Sequence, residues 1–259
     1  MKTVLITGAC INTGVAIVEK FASEGYNVLF TGRSMEKVRD AEQKYRKKVP
    51  DVEIMGYPID SLLDDRTVDE ASVEALFTEL DQKGIFVDTL VLNAADQGLG
   101  MKVFESPLTD LQRVINTNVV WNFCLCEHAA RRMKEQGGGS IVFVNSNTAY
   151  RAIPDRVAYV ASKGGQLGLM RALALDLGKY NIRVNAVLPG MIKTDRWEKN
   201  PDFYATVPSR YTPIGDVAVG VDIADAVWYF AAHARNTTGA ELTVDGGNTI
   251  QLYPIIPEQ

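Results

Sequence analysis

Seven short runs rich in β-branched, aromatic and other apolar residues recur along the chain, separated by longer stretches of helical periodicity, and this alternation leaves few folds open. The runs are Thr3 to Thr7, Asn27 to Thr31, Glu53 to Ile59, Thr89 to Asn93, Ser140 to Asn145, Arg183 to Leu188 and Glu241 to Val244. Strands joined by crossover helices lie parallel, and a parallel sheet needs helices over both faces. The expected architecture is therefore α/β, a doubly wound parallel sheet of about seven strands with helices on both faces. A helix is predicted over Val15 to Glu24, stopping at a C-cap glycine, Gly25. Ser34 is placed to N-cap a second, and a third starts near Asp69. The patterns over Asp110 to Glu135 and Val157 to Lys179 are long enough to cross the sheet. A polar, acidic insert, Ser61 to Val68, reads as a solvated surface loop.

With 259 residues and 46% hydrophobic content, the chain suits one large domain over 1–259. A formal charge of −5 and the absence of a Lys/Arg-rich run argue against nucleic acid as a partner, and no apolar run approaches membrane-spanning length. The apolar start at Met1 to Ile6 stops at Thr7-Gly8, so it reads as a first strand and not as a signal peptide. The cysteines Cys10, Cys124 and Cys126 are odd in number and lack metal-ligand spacing, which points away from a disulfide framework or a metal site and towards a reducing cytoplasm.

Two local patterns carry chemistry. The first strand runs directly into Thr7-Gly8-Ala9-Cys10-Ile11-Asn12-Thr13-Gly14 and then a helix, a context in which backbone N–H groups cradle a pyrophosphate. Tyr159 and Lys163 stand four residues apart, on one face if the segment is helical. A cation beside a phenol favours phenolate and would lower the tyrosine pKa towards the working pH. Packing and solubility also produce such pairs, so the meaning of this one depends on its neighbours. Ser146 comes thirteen residues earlier, at a strand end from which its hydroxyl could meet the same substrate oxygen, and Asn118 lies further upstream. The chemistry indicated is proton transfer at a carbonyl or alcohol.

Together with Asn93-Ala94 and Pro189-Gly190, in this order and spacing, the motifs resemble those of the short-chain dehydrogenase/reductase family from Thr3 to about Asn248. The resemblance implies a Rossmann-like sheet with a cofactor half at about 1–140, a catalytic and substrate half at about 141–259, and a substrate lid at about 191–216. It implies a nicotinamide-dependent oxidoreductase interconverting a carbonyl and a secondary alcohol, with hydride from the nicotinamide. Tyr159 would be the general acid or base, Ser146 would hold the substrate oxygen, and Lys163 would bind the nicotinamide ribose and depress the tyrosine pKa. Asn118 would position a water for proton relay. Cofactor contacts are implied at Gly8, Asn12, Thr13, Gly14, Arg33, Asp60, Asn93, Tyr159, Lys163, Ile192 and Thr194, with Asp60 at the adenine and Ile192 and Thr194 at the carboxamide. No metal is implied. Gly32 stands where an NAD-preferring member carries an acid, and Arg33 beside it can pair with a 2′-phosphate, which favours NADP(H). Ile11 fills the family's other frequent basic position, so NAD(H) stays open. The implied partners are a small carbonyl or alcohol and further copies of the chain, as a tetramer or dimer. An epimerase or dehydratase working through a transient ketone, and a non-catalytic dinucleotide sensor, are the alternatives.

The chain departs from the family pattern at particular places. Asn12 replaces the second glycine of the turn, Ala95 ends what is usually Asn-Asn-Ala-Gly, and Trp121 occupies a position where a small residue is common, with packing, inside the subunit or between subunits, as its expected role. Asparagine tolerates positive φ better than other non-glycine residues, so the turn is expected to survive. In the lid, Trp197, Phe203, Tyr204 and Tyr211 suit an apolar ring, a steroid-like ketone or a sugar, while Arg151, Arg156 and Arg196 could meet an anionic group. The substrate, acyl groups included, stays open. The tail from Thr249 to Gln259 is too proline-broken for a helix and would wrap a neighbouring subunit or fray.

Overall fold

A computed structural model describes residues 1–194, 197, 201 and 205–254. Arg196, Phe203 and Tyr204 of the expected lid lie outside the described residues. The strands are β1 (Thr3–Ile6), β2 (Asn27–Gly32), β3 (Ile54–Pro58), β4 (Thr89–Leu92), β5 (Gly139–Val144), β6 (Ile182–Pro189) and β7 (Glu241–Val244). They form one seven-stranded sheet in the order β3-β2-β1-β4-β5-β6-β7, and every neighbouring pair is parallel. The helices are α1 (Thr13–Ser23), α2 (Met35–Lys48), α3 (Glu70–Gln82), α4 (Leu108–Ile115), α5 (Trp121–Glu135), α6 (Val157–Leu177), α7 (Val207–Tyr211) and α8 (Gly220–Trp228).

Period-two alternation with both faces apolar explains the layering. Val4, Ile6, Val28 and Phe30 point into a core shared with Ile17 and Phe21 of α1, Val38 of α2 and Val227 of α8. Their neighbours Leu5 and Leu29, with Ile141 and Phe143, face the opposite core under Phe77 of α3, Leu125 of α5 and Met170 of α6. The chain winds outward from β1 to β3, then returns through α3 to place β4 on the other side of β1. The order reverses there, and the crevice this opens at the strands' C-terminal ends is where a doubly wound sheet takes its ligand.

The helix signals act as their chemistry requires. Beyond α1, Gly25 has φ +80°, and the Gly25 and Tyr26 amides close a Schellman motif on the carbonyls of Ala22 and Phe21. Ser34 Oγ accepts from the Lys37 amide at 3.4 Å, and Asp69 Oδ1 from the Ser72 amide at 3.0 Å. The long helix expected over Asp110 to Glu135 is broken by a π turn at Asn116–Val120, which the periodicity did not announce.

The Ser61 to Val68 insert is exposed from Leu63 to Thr67, as a surface loop should be, and is held in a defined turn. Leu62 and Val68 bridge antiparallel, Arg66 turns the chain at φ +67°, and Asn116 Nδ2 donates to the Arg66 carbonyl at 3.0 Å. Trp121 is 2% exposed within this one chain and packs in the α3/α5/α6 core, so its role is internal packing and not contact between subunits. The described part of the tail folds back on α7, where Asn248 Nδ2 meets the Tyr211 carbonyl at 2.8 Å and Gln251 Nε2 the Arg210 carbonyl at 3.0 Å.

Arg183 in β6 donates to the carbonyls of Phe230 at 2.6 Å, Ala231 at 3.0 Å and Ala234 at 3.0 Å, closing the end of the π turn Tyr229–His233 that follows α8. Those acceptors lose their partner in Arg183→Met, for which we expect a loss of about 2–3 kcal/mol in urea denaturation; a change within experimental error would show that the cap is dispensable.

Candidate active site

At the switch point, β1 delivers the glycine turn against the end of β4. A Cβ on Gly8, where φ is +64°, would come 2.8 Å from Ala94 Cα, and one on Gly14 would come 2.6 Å from Ala9 Cα. The turn thus lies flush on its surroundings and presents the N-terminus of α1, starting at Thr13, to the crevice, as a phosphate cradle requires. Thr7 Oγ1 accepts from the amides of Asn93 and Ala94, each at 3.0 Å, while Asn93 Nδ2 donates to the carbonyls of Thr7 at 3.1 Å and Gly8 at 3.0 Å. Asn93 therefore braces the turn with its side chain. Tyr45, buried in α2, supports it from beneath by donating to the Ala9 carbonyl. Tyr45 was missed in the sequence because its position matches the apolar stripe of Val38 and Ala41.

Asn12 sits at φ 51°, ψ −131°, which is outside the left-handed helical well that asparagine tolerates and inside the mirror-β region that glycine fills. The departure from the family pattern is thus a strained residue at the N-cap of α1, with no side-chain capping bond.

At the adenosine end, a Cβ on Gly32 would fall 2.4 Å from Cys10 Sγ, so the position that would carry an acid is closed by the turn itself. Arg33 is exposed at the head of α2. The Arg113 guanidinium is pushed down by burial and by the charges of Arg66 and Arg33; it pairs with Asp96, and Arg66 pairs with Asp110 at 3.4 Å. Asp60 is exposed after β3, accepting from the Ser61 amide at 2.7 Å, and Ser61 Oγ meets Thr117 Oγ1 at 3.1 Å. Ile192 bridges Ala218 beyond β6, and the Thr194 carbonyl accepts from the Trp197 amide at 2.8 Å.

The residues expected to handle the proton meet at the C-terminal end of β5. Ser146 follows that strand; its Oγ accepts from the Thr148 amide at 3.2 Å and lies near enough to the Tyr159 phenol to favour its ionised form. Lys163 is 1% exposed, and its Nζ donates to the Val144 carbonyl at 3.0 Å and to Gln166 Oε1 at 3.1 Å. It lies 5.6 Å from the centre of the Tyr159 ring. Burial pulls the lysine down to about 7. Burial also raises the Tyr159 phenol, opposed by the nearby Ser146 hydroxyl and the charge of Arg156, so in the free protein the phenol is not depressed as the sequence suggested. The physical reason is that desolvation disfavours both charged forms, phenolate and ammonium alike.

Asn118 lies fully buried in the π turn. Its side chain is used on protein: Oδ1 accepts from the Asp96 amide at 2.7 Å, and Nδ2 donates to the Asp96 carbonyl at 2.8 Å and to Ser162 Oγ at 2.9 Å. Its main-chain oxygen takes Asn122 Nδ2 at 2.9 Å and Gln166 Nε2 at 2.6 Å. Both lone pairs of that carbonyl are filled, which differs from the relay water expected at Asn118. Gln166 and Asn145 were not foreseen, although a glutamine and a lysine one turn apart on a helix, i and i+3, was the available signal.

Other groupings do not join this site. A concavity of about 650 Å³ lined by Met1, Thr3, Asn27, Glu53 and Asp88 lies at the N-terminal edge of β1 and β2. Glu70, Cys124 and His128 approach within 4.8 Å between α3 and α5, but burial and the charges of Glu70 and Glu127 hold the Cys124 thiol up at about 11, protonated at neutral pH.

Residues 8–249 match the family model described as enoyl-(acyl carrier protein) reductase. The chain belongs to the short-chain dehydrogenase/reductase family. It is an oxidoreductase of that family, with a Rossmann-like parallel sheet. It is 34% identical to a 3alpha-hydroxysteroid dehydrogenase of Mediterraneibacter gnavus over 95% of this chain and 96% of that one. It is 30% identical to an NADP-dependent (R)-specific alcohol dehydrogenase of Lentilactobacillus kefiri, covering 96% and 97% of the two chains. A 7 alpha-hydroxysteroid dehydrogenase solved with NADH and 7-oxo glycochenodeoxycholic acid superposes with a TM-score of 0.83 at 30% identity, over 95% of this chain and 93% of that one.

Relief of strain predicts that Asn12→Gly gains about 1 kcal/mol in denaturant melts and keeps NADP(H) binding by titration; loss of binding would mean that the asparagine side chain contacts the cofactor. The depressed Lys163 pKa predicts a pH signature. Because the unfolded lysine keeps its proton to about 10.5 and the folded one only to about 7, its contribution to stability is full above the former and lost as pH falls to the latter. The stability of the wild type relative to Lys163→Met should therefore rise with pH across that window and stay flat below it. A difference independent of pH would contradict the burial argument.

Proposed function

We propose that this protein is an NADP(H)-dependent oxidoreductase interconverting a ketone and a secondary alcohol, with Tyr159 as general acid in reduction and general base in oxidation. The observation that carries this reading is the convergence of Ser146 and the Tyr159 phenol, with the buried Lys163 ammonium 5.6 Å from the centre of the tyrosine ring, at the sheet edge that also holds the glycine turn. The turn at Gly8, Asn12, Thr13 and Gly14, braced by Asn93, would hold the pyrophosphate, Asp60 would meet the adenine, and Ile192 and Thr194 would dock the carboxamide. A nicotinamide dinucleotide bound there supplies the hydride.

In reduction, Tyr159 donates its proton to the carbonyl oxygen as negative charge grows on it, and Ser146 donates a second hydrogen bond to the same oxygen. Lys163 supports the phenolate left behind. In oxidation the proton runs the other way, from alcohol to Tyr159. Asn118, bonded to both Asp96 and Ser162, fixes the loop after β4 against α6.

NADP(H) is favoured over NAD(H) by the exposed Arg33 and by the closed position at Gly32. Ring ketones come first among substrates because two of the relatives are named for hydroxysteroids. The segment 191–216 would be the lid that selects among them. Val120, Phe123 and Leu175 expose apolar surface on the π turn, α5 and α6 that a homo-oligomer would cover, and three free thiols suit the cytoplasm.

Assays of keto-steroids, small ketones, ketoses and acyl thioesters with NADPH and NADH should show turnover preferring NADPH, reduced about 10²–10⁴-fold in Tyr159→Phe. Turnover without net nicotinamide consumption would indicate an epimerase or dehydratase. No turnover, with the variant indistinguishable from wild type, would overturn the enzymatic reading.

A further inference from the structure

Lys163 reaches its buried position with no carboxylate partner. Among the described residues its Nζ has two acceptors, the Val144 carbonyl at 3.0 Å and Gln166 Oε1 at 3.1 Å, both neutral. Gln166 is 1% exposed and every bond it makes has one sense. Oε1 accepts from Lys163 and from Asn145 Nδ2 at 3.1 Å, while Nε2 donates to the Asn118 carbonyl at 2.6 Å. A flipped amide would set N–H against two donors and oxygen against a carbonyl, so this orientation is fixed. Asn145 closes the ring: Nδ2 also donates to the Lys163 carbonyl at 3.0 Å, and Oδ1 accepts from the Ser146 amide at 2.7 Å.

We propose that Gln166 is a positioning residue, its one amide holding the Lys163 ammonium at one end and the Asn118 carbonyl at the other. A lysine ammonium is a point charge on a flexible four-carbon stem, and the Val144 carbonyl alone does not fix it. Gln166 fixes it through a neutral acceptor, which leaves the positive charge unquenched for the Tyr159 phenol. It also occupies the Asn118 oxygen, so lysine and asparagine are joined here by a side chain. Asn145 extends the same lattice to the backbone of Ser146. The charged and titratable groups around it are Tyr159, whose ring centre is 5.6 Å from Nζ, Arg156 beside that phenol, and the Asp96–Arg113 ion pair behind Asn118.

As far as catalysis is concerned, this inference rests on the oxidoreductase reading, and its test is built to fail separately. The titration of Lys163 is followed in the cofactor-free protein by NMR with ¹³Cε-labelled lysine, the resonance being identified by its absence in Lys163→Met. Gln166→Leu, which removes an acceptor from the charged form, should lower the midpoint by about one pH unit. Gln166→Glu, nearly the same shape, should raise it, and it keeps the test available if the leucine variant folds poorly. In alcohol oxidation, Gln166→Leu should move the rising limb of the pH profile upward and lower kcat about tenfold at neutral pH, with NADPH affinity changed less than about threefold. A Lys163 midpoint unmoved in both variants overturns the proposal whether or not a substrate is known. A shifted midpoint in a protein that turns over no carbonyl supports the positioning role and counts against the oxidoreductase reading alone.

Discussion

Everything functional in this molecule depends on holding open the gap where the winding of the sheet reverses. Strands β1 and β4 are hydrogen-bonded neighbours, yet the chain leaves their C-terminal ends in different directions, and the gap between the departing segments must be braced by side chains. Thr7 and Asn93 do this with hydrogen bonds donated from the β4 end, by the Asn93 and Ala94 amides and Asn93 Nδ2, to acceptors on the β1 end. With the gap fixed, Gly8 and Gly14 can lie against Ala94 and Ala9 where no side chain would fit, and the start of α1 faces the crevice. Tyr45 adds a support from α2 that ties this turn to the outer core.

The second requirement is a charge kept where water would normally carry it. Lys163 is buried among amides and carbonyls, and the choice of neutral partners has a consequence for chemistry. A carboxylate would have stabilised the ammonium but cancelled its field at Tyr159. Neutral acceptors preserve the field at the expense of a depressed lysine pKa, a trade that makes sense only if the charge is used nearby. The π turn at Asn118 belongs to the same arrangement, since its Asn118 carbonyl accepts from Gln166 and Asn122.

Much of this was legible beforehand, for identifiable reasons. Strand limits at β1, β2, β4 and β7 follow from apolar runs ended by polar or glycine residues, and Gly25, Ser34 and Asp69 punctuate helices through their own local hydrogen bonds. Ser146, Tyr159 and Lys163 were visible because their spacing is local and their side chains are chemically distinctive. The direction of the Tyr159 pKa was not legible, because it is set by burial, and burial is a property of packed neighbours. Tyr45, Asn145 and Gln166 were hidden by ordinary appearances: a tyrosine on an apolar stripe and two amides without a motif.

By itself, then, the sequence determined the alternation of strand and helix, the family, the glycine turn and the spacing of Ser146, Tyr159 and Lys163, since each is written in local spacing and residue chemistry. Tertiary structure alone decided that Asn12 occupies a glycine conformation, that Cys10 closes the space at Gly32, that Asn118 spends its hydrogen bonds on protein, and that Lys163 is held by Gln166. These depend on which distant segments are pressed together and on how much water is excluded there, quantities that exist only once the sheet has closed under its helices.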